Sequence, residues 1–228
     1  MRILAVDTAT TSCSVAIVGQ SSLAVEFTLN RKETHSKHLM EMIHAILKIS
    51  GFDLSAVDGF SVTKGPGSFT GLRIGISTVK GLAVATGKPI VGVSSLEALA
   101  VQVSDSSNLI CPLIDARKGE VYFCRYRLIN DQLQKETDEQ VARPEKAFDN
   151  LKEPCLFVGN GALLYKHLIS EKLGRLAAFA PVTHNIIRAS SVAHLSMAKF
   201  ISKNTDKIED FSPHYIRRSD AELKTGNT

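Results

Sequence analysis

The feature that most limits how this chain can fold is a faint internal repeat. An apolar run, Ile3 to Val6, ends in Asp7 and is followed by the polar stretch TATTS and a second apolar run, Cys13 to Val18. Far downstream, Leu109 to Ile114 ends in Asp115, the turn ARKGE follows, and apolar residues return from Val121 to Leu128. Short apolar runs bounded by turn residues are strands, and a strand that returns over a short turn pairs antiparallel with the one before it. A chain that begins twice in the same way is best explained by two copies of one supersecondary unit. With 228 residues it is long enough for two lobes of about 100 residues each.

Reading along the first copy, Leu23 to Leu29 adds a third strand to an antiparallel meander. Leu39, Met42, Ile43, Ile46 and Leu47 then recur at helical spacing, predicting an amphipathic helix over 35–50 that Gly51 stops. A strand over 57–63, a helix over 69–85, a strand over 89–93 and a helix over 95–103 opened by Ser94 complete the lobe. The fold class is therefore α/β. The polar stretch SDSSN, 104–108, marks the boundary, so that 1–104 forms the first lobe and 105–212 the second. In the second lobe the patterning predicts strands over 121–128, 133–141 and 155–158, and helices over 144–152, 159–173 and 190–202, the last with the option of packing back on the first lobe. The tail, 213–228, has no periodicity.

Composition narrows the functional classes. Hydrophobic residues at 44% and charged residues at 22% suit an ordinary soluble protein, and the net charge of +4 is spread over both halves, so no basic patch implies a nucleic acid as direct partner. Four scattered cysteines without a C-x-x-C pair read as reduced thiols. Only four apolar residues precede Asp7, too few for a signal segment or a membrane span. The expectation is a cytoplasmic protein with no membrane partner.

Three stretches have chemical potential. The turn Asp7-Thr8-Ala9-Thr10-Thr11-Ser12 places hydroxyls and backbone amides where they could surround a phosphate; a hairpin bonding its own backbone is the alternative. Gly159-Asn160-Gly161 sits between a strand and a helix, which suits either a ligand or a plain turn. The helix after Lys64-Gly65-Pro66-Gly67-Ser68 is apolar nearly all round. Leu72, Ile76, Val79 and Ala83 form one stripe, and Gly71, Ile74, Gly75, Thr78, Gly81 and Ala85 form another. A sheet covers only one side of such a helix, so the second side calls for a protein partner, or else for the second lobe. His35 and His38 lack a third ligand at suitable spacing and read as polar surface residues. No G-x-S-x-G motif occurs, so a nucleophilic hydrolase has no support.

The segments ILAVDTATTSCSVAI, THSKHLMEMI, VTKGPGSFTGLRIGISTVKGLAVATGKPIVGVSSLEALA, LIDARKGEVYF, FVGNGA and SPHYIRR resemble, in order, the bacterial TsaB (YeaZ) family. That resemblance implies the duplicated actin/sugar-kinase/heat-shock-ATPase (ASKHA) fold. It also implies a non-catalytic subunit that binds and activates its paralogue TsaD, which transfers a threonylcarbamoyl group to adenosine 37 of tRNAs reading codons that begin with A. TsaE completes the assembly, ATP or ADP is bound in the complex, tRNA is engaged through it, and the subunit alone forms a homodimer. The family's contact is a bundle of the first two helices, which places the partner interface at His38, Met42, Gly71, Ile74, Gly75, Ile76, Thr78, Val79 and Leu82. TsaD proteins have a V-N-H-x-E-G-H segment whose histidines bind metal. Here the segment is Val93-Ser94-Ser95-Leu96-Glu97-Ala98-Leu99, with Ser95 and Leu99 in place of the histidines, so no metal and no intrinsic cofactor are expected. The superfamily's first phosphate hairpin reads D-x-G-T-T; Ala9 replaces its glycine, which leaves Asp7, Thr10, Thr11, Gly159 and Gly161 as a vestigial nucleotide site. An ATP-dependent small-molecule kinase of the same fold and a metal-dependent peptidase are the rival readings.

Overall fold

The computed structural model describes the chain except Ser21, 32–34, 105–107, Asp131 and 218–228. Most of the stretch expected to separate the lobes and the end of the tail thus lie outside the described residues.

The first sheet contains β1 (Arg2–Asp7), β2 (Ser12–Gly19), β3 (Leu23–Asn30), β4 (Gly59–Gly65) and β5 (Ile90–Ser94) in the order β3-β2-β1-β4-β5. The meander is antiparallel, whereas β4 and β5 join in parallel through α1 (Leu39–Ser50) and α2 (Phe69–Thr86). Because successive side chains alternate across a sheet, β1 is apolar throughout only if both of its faces are covered. They are. Leu4 and Val6, with Val15, Ile17, Phe60 and Val62, face α1 and α2, while Ile3, Ala5, Ala16, Val91 and Val93 face the opposite way into a core shared with the second lobe.

The second sheet repeats the plan. It contains β6 (Leu109–Arg117), β7 (Glu120–Phe123), β10 (Gln140–Ala142), β11 (Cys155–Val158) and β12 (Ala177–Phe179) in the order β10-β7-β6-β11-β12, with a hairpin of β8 (Tyr126–Ile129) and β9 (Gln132–Lys135) attached to β6. The two orders superimpose strand for strand, so the repeat read from the two aspartates is a duplicated fold. Helices α4 (Pro144–Phe148), α5 (Asn160–Leu164) and α6 (Lys166–Leu173) cover one face. Helix α3 (Ser95–Ala100) lies between the sheets, and α7 (Ala189–Ile201) packs on β1, β2, β4 and β5 of the first sheet.

Several expectations from the sequence need correction. The strand expected over 121–128 is two strands. At Arg125 the chain leaves β7, and the guanidinium turns to the carbonyls of Ala147 at 3.0 Å and Asp149 at 2.8 Å, capping the end of α4. The strand expected over 133–141 is likewise split, its first part closing a hairpin on β8 and its second pairing with β7. The helix expected over 159–173 breaks at Tyr165, and the one over 144–152 ends at Phe148. Ser68 and Ser94 do cap their helices, accepting from the amides of Gly71 and Glu97 at 3.3 Å each.

Candidate functional site

The first hairpin is closed by the protein itself. Asp7, at the end of β1, is fully buried. Its Oδ1 accepts from the Thr63 hydroxyl at 2.7 Å and the Ala9 amide at 3.2 Å, while its Oδ2 has no hydrogen-bond partner. Burial outweighs those two bonds and pushes the pKa up to about 7. Above the carboxyl the loop before α2 folds over the turn. The Ser68 amide donates to the Ala9 carbonyl at 2.7 Å, and a Cβ on Gly67 would stand 2.4 Å from that oxygen. The Thr8 hydroxyl donates to the Gly71 carbonyl at 2.7 Å. Thr10 is half-buried, its carbonyl accepting from His35 Nε2 at 2.8 Å, and Thr11 is exposed. Of the hairpin residues marked for phosphate, only Thr11 faces solvent freely.

The corresponding parts of the second lobe are packed in the same manner. Asp115 Oδ1 accepts from the Arg117 amide at 2.8 Å, and the Asp115 amide donates to Asn160 Oδ1 at 3.0 Å. Gly159 has φ 106°, which favours glycine, and a Cβ there would stand 2.4 Å from the Leu113 carbonyl oxygen; one on Gly161 would lie 2.9 Å from the same atom. These glycines let α5 press against β6, so the close approach they permit is made by a strand. Ser95 and Leu99 are both buried in the core between the sheets, and Leu99 leans on Gly159. His38 lies 3.8 Å from Glu41, and among the described residues no three His, Cys, Asp or Glu side chains gather as metal ligands.

Helix α2 sorts the expected interface residues into two sets. Gly71, Gly75, Ile76 and Val79 are buried under the helix, against Thr8, Val62 and the sheet. Their assignment to a partner face is thereby corrected: the small residues at 71 and 75 make room for Thr8, whose carbonyl oxygen would lie 2.1 Å from a Cβ on Gly71. Ile74, Thr78 and Leu82 are half-buried, as are His38 and Met42 on the α1 side. Beyond them the helices expose Met40, Ile49 and Val84, the last at 68%. The two helices thus leave several apolar side chains only partly covered by the sheet and the second lobe.

One set of contacts has no counterpart in the sequence reading. The segment after α7 returns to the first lobe, where Tyr215 stacks on Phe69 with ring centroids 4.9 Å apart and Arg73 lies 3.9 Å over the Phe69 ring. Phe211 is buried beside β5. Aromatic residues in an otherwise polar tail were the only available signal.

Comparison with known proteins gives a consistent answer. The family model for TsaD, tRNA N6-adenosine threonylcarbamoyltransferase, matches residues 24–225. The tRNA threonylcarbamoyladenosine biosynthesis protein TsaB of Bacillus subtilis is 32% identical over 98% of this chain and 97% of its own. TsaB of Escherichia coli is 33% identical over 96% of each. The solved structure of YeaZ from Pseudomonas aeruginosa is similar at 28% identity with a TM-score of 0.80, covering 94% of this chain and 99% of that one. The ethanolamine utilization protein EutJ from Carboxydothermus hydrogenoformans shares the fold alone, with a TM-score of 0.56 at 11% identity over 85% of this chain and 89% of that one. With its two like sheets, its crossover helices and a likeness that runs nearly end to end, this chain has the ASKHA-type α/β fold and belongs to the TsaB (YeaZ) family.

Proposed function

We propose that this protein acts in the biosynthesis of N6-threonylcarbamoyladenosine in tRNA as a non-catalytic subunit that binds and activates TsaD, with TsaE as a further component. The near full-length likeness to proteins named for that pathway supports the pathway. The observation that favours a subunit over a second transferase is the state of the segment 93–99. Where a TsaD-type site has metal-binding histidines, Ser95 and Leu99 are packed into the apolar core between the lobes, with no donor atom at 99 and no room beside Gly159. A metal cannot be accepted there without repacking the centre of the molecule.

The residues left for binding are on the outside of α1 and α2. Half-buried Ile74, Leu82 and Met42 and exposed Met40, Ile49 and Val84 leave apolar surface on both helices, which suits a helix-on-helix contact with a partner of the same architecture. TsaD is such a partner, and a second copy of this chain is the substitute when TsaD is absent. ATP or ADP belongs to the assembled complex in this reading, because the first hairpin here is roofed by Gly67 and Ser68. Mixing the purified chain with TsaD tests the proposal: a stable heterodimer in size-exclusion chromatography is expected. Tight Mg²⁺-dependent ATP binding with turnover by the isolated chain would instead support the kinase reading.

A further inference from the structure

The chain after α7 has no helix or strand from 206 to 217, yet it is fastened every few residues. The Asp206 amide donates to the Ile90 carbonyl at 2.9 Å, and the Asp206 carboxylate accepts from the Gly92 amide at 2.8 Å. Phe211 is buried, and Lys80 on α2 donates to its carbonyl at 3.0 Å. The His214 amide donates to the Lys64 carbonyl at 2.6 Å, and the Tyr215 hydroxyl accepts from Arg73 Nε at 3.0 Å. Room is left for this strap by two glycines: a Cβ on Gly65 would stand 2.5 Å from the His214 carbonyl oxygen, and one on Gly92 2.8 Å from the Phe211 ring.

All of those contacts are with the first lobe, but the same few residues also hold the second. His214 Nε2 lies 3.5 Å from Glu139, an ion pair when the imidazole is protonated, and Arg217 bonds Glu120 at 2.9 Å. The Glu139 side chain is nearly buried and also accepts from the Ser94 hydroxyl, with Lys135 at 3.8 Å. His214 is therefore bonded to one lobe through its backbone, while its ring faces Glu139 of the other. Four residues, His214 to Arg217, span at most about 14 Å when fully extended, so movement at one end cannot be absorbed as slack before the other end.

We propose that this strap is a mechanical link between the lobes, which makes the first turn of α2 and the β7–β10 edge of the second sheet a single cooperative unit. The link stands on the geometry of the isolated chain and does not require the partner reading. If that reading also holds, a partner seated on α2 senses the angle between the lobes through Tyr215 and His214.

Hydrogen exchange of the full chain, measured amide by amide, tests the link. The double substitution Glu120→Gln, Glu139→Gln lies wholly in the second lobe. Protection of the His214 amide and of the first turn of α2 should nevertheless fall roughly three- to tenfold, the size expected for losing two partly exposed charge contacts. Coupling is reciprocal, so Arg73→Ala should speed exchange in Gln140–Ala142 by a comparable factor. Lys146→Gln breaks the Lys146–Asp149 pair of 3.4 Å in the same lobe without touching the strap and should change neither region. Loss of protection confined to the second lobe in the double variant, or spread evenly over the whole chain, would overturn the proposal.

Discussion

The hydroxyl of Thr8 donates to the carbonyl of Gly71 at 2.7 Å, joining the turn of the first hairpin to the first turn of α2. The sequence marks that turn as a place for a phosphate. Here Thr8 and Ala9 are wholly buried under the loop 65–68 and the small-residue stripe of α2. The glycines that the sequence offers as a partner surface are the socket for this hairpin.

A graded pair of glycine substitutions follows from that socket. Gly71→Ala puts a methyl 2.1 Å from the Thr8 carbonyl oxygen, a backbone atom that cannot step aside, and should cost about 2–4 kcal/mol in urea unfolding. Gly81→Ala is in the same helix and meets nothing within 4 Å. It should raise stability by about 0.5–1 kcal/mol through helix propensity alone.

The same division of α2 separates unfolding from loss of assembly. Ile76 is 4% exposed in the core of the first lobe, so Ile76→Glu buries a charge and should unfold the protein in thermal melts, rather than yield a folded monomer as its place on the apolar helix first suggests. Val84→Glu places the charge at an exposed position instead. It should keep a near-native melting temperature and lose self-association and TsaD binding in size-exclusion chromatography.

Asp7 gives a pH prediction with a definite sign. Its carboxyl titrates near 7 in the folded protein against 3.8 when unfolded. Between those values the folded state holds a proton that the unfolded state has released, so stability falls as pH rises from about 4 to about 7, by about 1.4 kcal/mol per pH unit, and then levels off. Asp7→Asn removes the ionisation. The variant's unfolding free energy minus that of the wild type should climb across this interval and be positive at pH 8; a flat difference would contradict the assignment.

Much of this was readable from residues alone, and the misses have physical causes. Strands β1, β2 and β6 were legible because they are buried on both faces and therefore carry unbroken apolar runs, and the caps Ser68 and Ser94 were legible because a helix start needs a side-chain acceptor. The break of 121–128 at Arg125 was hidden, since alternation continues across it and only the tertiary bonds of the guanidinium to Ala147 and Asp149 redirect the chain. Periodicity could not say which side of α2 faces the sheet, because both stripes are apolar or small. The strap was hard to see for a related reason: its partners belong to elements distant in the sequence, which leave no local pattern beyond its aromatic residues.

The activating role proposed for this chain is measured directly by reconstitution. TsaD and TsaE from the same organism, supplied with tRNA and threonylcarbamoyl adenylate, should transfer the threonylcarbamoyl group efficiently only when this chain is added. Val84→Glu should withdraw the stimulation. Equal transfer with and without the chain, or transfer by the chain in the absence of TsaD, would contradict the account.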